Sequence, residues 1–403
     1  MALRRRPHAF WPALVIACVV LFGVSAIRPT VTYRALVLGA SEWQIGLIAA
    51  SFALLSLLFA IPIGRMVDRW GETRFVIAGT ALMVAVSASL VFADNLVLLA
   101  IAQAALGMGH VLVAVSIQAL IGNSDGDLAP GRFGNFSVAV SLGQLLGPLA
   151  ATTVLTHYGT TAVPFGLDGP GVVFLLVGLA QVVGVVLAAS FSGAPRPEHH
   201  LTAPEQLERV KVLAVLRMRL VPTAVLASVV VVSTLDVIVV YLPVFGEDRG
   251  LPPSVVGILL AVLFAATIVS RLFLKRLRHF APPPVLLTAS TAIPAVAFAV
   301  TPFVTEPILL GVLFAAAGTG LGVGQPTSMS WVSGMVPRHV RATTLGLRLA
   351  GNRLAQIIVP IAVGALAFQL GVTSVFWALA ALLIISALFT ARSIGHEQPP
   401  ADR

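Results

Sequence analysis

A few polar side chains interrupt the long apolar stretches of this 403-residue chain, and they are the groups that could do chemistry. Asp236, in Ser233-Thr234-Leu235-Asp236, is the one carboxylate well inside an apolar run. Arg353 lies inside another, and Asn352, Arg353 and Gln356 share one broad helical face by their three- and four-residue spacing. That face is expected to line a cavity. Arg28 stands towards the far end of the first run, and His110 and Gln103 are seven positions apart, hence on one face of a helix. An ionised group in lipid costs several kcal/mol unless it is paired or hydrated, so each marks a candidate site. A carboxylate there can take up and release a proton, an arginine can hold an anion, and a histidine ordinarily titrates near neutrality. Two alternatives stay open: Arg28 could instead snorkel to the headgroups, and His110 could be a hydrogen-bonded packing residue.

The elements that must position these groups follow from composition. Hydrophobic residues make up 58% of the chain, charged ones 10%, and the mean hydropathy is +0.99. A soluble domain carries roughly a quarter charged residues, so this chain belongs in a membrane. A span needs about 20 mostly apolar residues. Such runs lie near 10–29, 44–63, 75–93, 96–121, 134–157, 170–192, 220–243, 254–273, 283–302, 307–332, 343–367 and 372–392. They are continuous rather than alternating, which excludes barrel strands and predicts an all-α integral membrane fold of about twelve helices. Arg353 then sits roughly 15 Å into its helix, near the midplane of a core about 30 Å thick. Asp236 sits about 22 Å into the seventh.

Charge placement predicts the topology. Arg4 to Arg6, Arg65, Arg69, Arg74, Arg132, Arg196, Arg209, Lys211, Arg217, Arg219, Arg271, Lys275, Arg276, Arg278, Arg338 and Arg341 fall on one alternating set of connections. The other set has Arg34 and Arg249, with Asp94, Asp168 and Glu306. The positive-inside rule puts both termini and the polar segment 193–219 in the cytoplasm. The net charge of +9 therefore does not point to nucleic acid, which would need one contiguous basic face with aromatic platforms. The start of the chain reads as a first span with a basic flank rather than a removable leader, although Val24-Ser25-Ala26 faintly mimics a cleavage site. Cys18 is the only cysteine, which excludes an internal disulfide. Lys211 and Lys275 are the only lysines, a composition that suggests a high-GC bacterial genome.

The polar segment 193–219 divides the chain into residues 1–192 and 220–403, two halves of about six spans. Gly39 and Gly46 are echoed by Gly250 and Gly257, Gly107 and Gly109 by Gly320 and Gly322, and Gln144 and Pro148 by Gln356 and Pro360, at offsets of 211 to 213. A near-constant offset predicts a duplicated six-helix bundle.

Two motifs carry a resemblance. The first is the charged island Gly64-Arg65-Met66-Val67-Asp68-Arg69-Trp70-Gly71-Glu72-Thr73-Arg74 between the second and third runs. Gly64, Asp68, Arg69 and Gly71 stand at the spacing of GxLxDRxGR(R/K), the signature cytoplasmic loop of major facilitator superfamily transporters, which the chain resembles. The corresponding island in the second half, Leu274-Lys275-Arg276-Leu277-Arg278-His279-Phe280, lacks an acid. The second motif, Gly143-Gln144-Leu145-Leu146-Gly147-Pro148, resembles the GxxxGPxxGG element of proton-coupled antiporters in that family, with Ala151 and Thr152 in place of the last glycines. It can equally be read as a packing kink, since two small residues four apart admit a neighbouring helix and proline removes a hydrogen bond.

The resemblance implies two six-helix bundles that alternate access to a midplane site. It implies that Asp68 meets the start of the eleventh helix, where a dipole welcomes an anion. Gly64 and Gly71 are expected to let helix ends approach, and Arg69 and Arg74 complete the gate motif. The expected function is proton-driven efflux of a small amphipathic compound by a monomer in the bilayer. The alternative is movement of a carboxylate-bearing metabolite, which the cations Arg28 and Arg353 suggest. A membrane-embedded sensor or enzyme would need a signalling domain or a catalytic cluster. The chain has no GxxxxGK(S/T), HExxH or GxSxG pattern, and Gly318-Thr319-Gly320-Leu321-Gly322-Val323-Gly324 follows no strand. No cofactor or metal is expected.

Overall fold

The computed structural model describes residues 10–122, 129–159, 167–190, 218, 221–336 and 338–394. The polar segment 193–219 lies outside the described residues except for Met218, as do Arg4 to Arg6. Among the described residues there is no strand, and twelve helices are long and apolar enough to cross a membrane. They are α1 (Phe10–Val37), α2 (Glu42–Trp70), α3 (Glu72–Val91), α4 (Leu96–Gly122), α5 (Ala129–Tyr158), α6 (Gly169–Ala189), α7 (Val221–Asp248), α8 (Pro253–Leu272), α9 (Pro283–Val300), α10 (Pro307–Met335), α11 (Arg338–Leu370) and α12 (Thr373–Ile394). A seven-residue helix, Leu274–Phe280, joins α8 to α9. The protein is a multi-pass membrane protein.

Local chemistry sets the helix ends. Proline opens α8, α9 and α10 at the position where its missing N–H costs nothing. Asp168 caps α6 by accepting from the Gly171 N–H at 2.9 Å, and its carboxylate also takes both terminal nitrogens of Arg34 at 2.6 and 2.7 Å. Arg34, one of the two arginines that departed from the charge asymmetry, is thereby neutralised by a neighbouring helix cap. Ser41 opens α2, and its N–H donates to Gln44 Oε1 at 2.9 Å.

Several helices run past their apolar stretches. Gly64 to Trp70 are helical, so the charged island forms the last two turns of α2 and not a loop; only Gly71 separates α2 from α3. Its φ of 87° is a conformation that a side chain would strain. Continuing the helix satisfies the backbone of the charged segment while its side chains reach outward.

Packing groups the chain into two compact units, Met1–Pro197 with Val239–Ala261, and Glu198–Ile238 with Val262–Arg403. In the first, α1 packs on α5 and α6, α2 on α4, and α3 on α4 and α6. In the second, α9 packs on α10 and α12, and α11 on α12.

For α1, α2 and α4 against α7, α8 and α10 the repeat is visible atom by atom at an offset of 211. Ser56 Oγ donates to the Gly107 carbonyl at 3.0 Å, and Thr267 Oγ1 donates to the Gly318 carbonyl at 3.1 Å. A Cβ on Gly107 would fall onto the Phe52 carbonyl, and one on Gly318 onto the Leu263 carbonyl. After α1, Gly39 N–H bonds to Leu36 O and Ala40 N–H to Ala35 O; after α7, Gly250 bonds to Glu247 and Leu251 to Gly246 in the same way. Gly107 and Gly109 therefore correspond to Gly318 and Gly320, not to Gly320 and Gly322. The α10 glycine ladder offers both registers, and only the α8 hydroxyl selects one.

Candidate functional site

In the second unit a polar seam joins α7 to α11. The Gln356 amide bridges it: Nε2 donates to the Asp236 carboxylate, and Oε1 accepts from Arg353 at 3.0 Å. Carboxylate, amide and guanidinium thus form one chain of charge-assisted hydrogen bonds, about twice as strong as neutral ones. Asp236, Arg353 and Gln356 are each only half-buried. Asn352 differs from expectation. It is 5% exposed and accepts from Ser228 Oγ at 3.0 Å, so it fastens α11 to α7 instead of lining a cavity. Gly351 permits that approach, since a Cβ there would stand 3.3 Å from Val229.

In the first unit Arg28 is 7% exposed, and its guanidinium carbon lies 4.9 Å from the centre of the Phe52 ring. Snorkelling is ruled out by that burial. His110 stacks on the same ring at 5.9 Å, so Phe52 gathers both groups. A cation over a desolvated ring gains about 2 kcal/mol, part of the cost of keeping Arg28 inside.

Gly143 and Gly147 work as packing residues. A Cβ at either would run into the α1 backbone, at Cys18 and at Phe22, so these glycines let α5 touch α1 main chain to main chain. Pro148 lies within α5, and its carbonyl accepts from Thr152 Oγ1 at 2.7 Å. In the charged island Asp68, Arg69 and Arg74 are exposed. No described atom lies within 4 Å of a Cβ placed on Gly64 or Gly71.

Two arginines escaped the reading of the sequence as site residues. Pro326 cannot donate to the Gly322 carbonyl one turn back; Arg271 Nε does so at 3.3 Å. Arg348, 8% exposed, donates to the Gln325 carbonyl and to Ser328 Oγ, both at 3.2 Å. The signal was available: a proline inside an apolar run leaves a carbonyl in need of a donor. Tyr241, fully buried, donates to the Glu42 carbonyl at 2.9 Å within the first unit. Among the described residues no group of three metal-ligating side chains is present.

Twelve spans and an internal repeat give a polytopic membrane protein with a polar seam between two of its helices. The chain belongs to the Major Facilitator Superfamily, whose family model matches residues 13–348 and 284–403, and it is a secondary transporter. An uncharacterised MFS-type transporter of Methanocaldococcus jannaschii is 21% identical over 88% of this chain and 90% of its own length. Among solved structures, a bacterial homolog of the human lysosomal transporter Spinster, inward-facing and unoccupied, is similar with a TM-score of 0.80 at 14% identity, covering all of both chains. A nucleoside transporter gives 0.78 at 12% identity over 96% of this chain and all of its own. A D-xylose-proton symporter gives 0.74 at 14% identity, covering 94% of this chain and 96% of its own. At these identities the structural likeness speaks for the fold.

Proposed function

We propose that the protein exports a small amphipathic compound from the cytoplasm in exchange for protons, with Asp236 as the proton carrier. The observation that carries this reading is the chain Asp236–Gln356–Arg353. Ionised Asp236 accepts from the Gln356 amide, which in turn holds the Arg353 guanidinium. Protonation removes the negative charge and weakens the whole chain, freeing Arg353 to meet substrate or another partner. A proton is thus exchanged against a change in side-chain positions on two helices, which is what coupling requires.

Export fits the resemblance of the Gly143–Pro148 element to the antiporter motif, and the arginine asymmetry supports cytoplasmic termini in a bacterial inner membrane. Asp68, Arg69 and Arg74 are proposed to close the cytoplasmic side in one state of the cycle, with the monomer as the working unit. A second reading, movement of a carboxylate-bearing metabolite, is favoured by the buried cation Arg28.

Proteoliposomes with an imposed pH gradient test the coupling. Asp236→Asn is expected to abolish accumulation against a gradient while leaving exchange down it, whereas Arg353→Ala weakens binding itself. In the same vesicles Asp68→Asn should slow turnover without impairing insertion. Uphill accumulation by Asp236→Asn protein moves the proton site elsewhere, with His110 the next candidate.

A further inference from the structure

The short helix Leu274–Phe280 between α8 and α9, together with the residue before it, divides into two faces. Phe273, Leu277 and Phe280 follow one another at spacings of four and three, with Leu274 beside them, so at 3.6 residues per turn they form one apolar stripe. Lys275, Arg276, Arg278 and His279 take the rest of the circumference, and all four are exposed. The apolar stripe is not covered by protein: Phe273 is 53% exposed and Phe280 76%. No acid stands between Asp248 and Glu306 in the sequence, and among the described residues Lys275, Arg276 and Arg278 take part in no ion pair. The island at the end of α2 is built otherwise. There Asp68 and Glu72 stand among Arg65, Arg69 and Arg74.

We infer that this helix is a docking surface for anionic phospholipid, seated where α8 leaves the bilayer. An uncovered aromatic stripe beside a row of cations fits a boundary that is acyl chain on one side and phosphate on the other. Phe273 and Phe280 enter the acyl edge, and Lys275, Arg276 and Arg278 meet the headgroup phosphates. A zwitterionic lipid offers the same acyl edge without the net charge, so the cations supply the preference and the phenylalanines the depth. The corresponding island of the first unit has two acids among its three arginines and is expected to hold anionic lipid less well. This surface belongs to the second unit alone and does not depend on which substrate is moved or in which direction.

Phosphatidylglycerol and phosphatidylcholine of equal chain length serve as probes, and their retention by the purified full-length protein is counted by native mass spectrometry. Phosphatidylglycerol should be retained in preference, and the preference should fade as salt is raised. A basic side chain near an anionic surface contributes roughly fivefold in affinity. The triple variant Lys275→Gln, Arg276→Gln, Arg278→Gln should therefore lose at least about tenfold of the preference. Its melting temperature in zwitterionic detergent should hold, since all three side chains are exposed. Removing as many cations from the first unit, by Arg65→Gln, Arg69→Gln and Arg74→Gln, should cost less than the triple variant does. Phe273→Ser with Phe280→Ser should weaken retention of both lipids and leave their ratio unchanged. Equal retention of the two lipids by the wild-type protein overturns the inference, and the basic face is then only a solvated flank. Equal losses from the two triple variants also overturn it, because total charge and not this helix is then what lipid meets. Displacement of phosphatidylglycerol by millimolar glycerol phosphate would overturn it as well, by showing a site for the free anion.

Discussion

The seam between α1 and α5 and the seam between α7 and α11 occupy corresponding places in the repeat, yet they are built from different materials. In the first, Gly143 and Gly147 bring two main chains together, and the residues at the repeat positions of Asp236 and Gln356 are Ser25 and Gln144. In the second, Ala355 and Val359 stand where the glycines would be, and side chains span the gap: Ser228 to Asn352, and Gln356 to Asp236. Duplication supplied one geometry twice. Where glycine closes one copy, main chain meets main chain; in the other copy the polar side chains of Asp236, Asn352 and Gln356 make the connection. A seam closed by main chain and a seam spanned by side chains follow from a few substitutions at matched positions.

The largest test of that contrast is steric. Gly147→Leu places a branched side chain against the Phe22 carbonyl, a backbone atom that cannot swing aside. Overpacking of this kind costs about 1–3 kcal/mol or more. The variant should lose most of its folded, monodisperse yield in detergent. Val359→Gly, the reverse change in the second seam, should keep at least half of it. Equal losses from the two changes would mean that the seams are not different in kind.

A chemical test comes next. Gln356→Leu removes the amide that links Asp236 to Arg353, a charge-assisted contact whose loss corresponds to roughly ten- to hundredfold in rate. Gln144→Leu, at the matched position, removes an amide with no ionised partner at the repeat site, because Ser25 stands where Asp236 would. Gradient-driven transport should fall strongly in the first variant and less than about threefold in the second, since surface-type changes stay small. If both fall alike, the first seam takes part in the chemistry and the contrast fails.

How much of this was legible in the sequence differs between fold and site for physical reasons. Spans were readable because lipid demands about 20 continuous apolar residues, a signal that one chain carries on its own. The ends were less so: Gly64 to Trp70 carry charge and still continue α2, since helix formation depends on backbone satisfaction and not on apolarity. Asp236, Arg353 and Gln356 were each legible as costly residues in a span, but not as one hydrogen-bonded chain, because partners across helices leave no mark in either segment. Asn352 misled for that reason: its position suited a cavity, and Ser228 of α7 claimed it. Arg348 and Arg271 stand near the ends of their runs, where an arginine passes for a flank, so their attachment to the Pro326 break went unread.

The smallest test concerns what the two halves share. Ser56 and Thr267 each donate to a glycine carbonyl 51 residues further on, in the same register of the repeat. Both hydroxyls also bond within their own helix, to Phe52 at 3.3 Å and to Leu263 at 2.9 Å. Each interhelical bond therefore adds only about 0.5–1.5 kcal/mol. Thr267→Ala loses a buried methyl as well, about 0.8 kcal/mol more, so the fair comparison is Ser56→Ala with the difference between Thr267→Ser and Thr267→Ala. Thr267→Ser keeps the hydroxyl and should keep most of the stability, while Ser56→Ala and Thr267→Ala lower the apparent melting temperature by a few degrees, the second more. Should Thr267→Ser destabilise as much as Thr267→Ala, the methyl and not the hydrogen bond holds α8 to α10, and the conserved geometry of the two halves rests on packing alone.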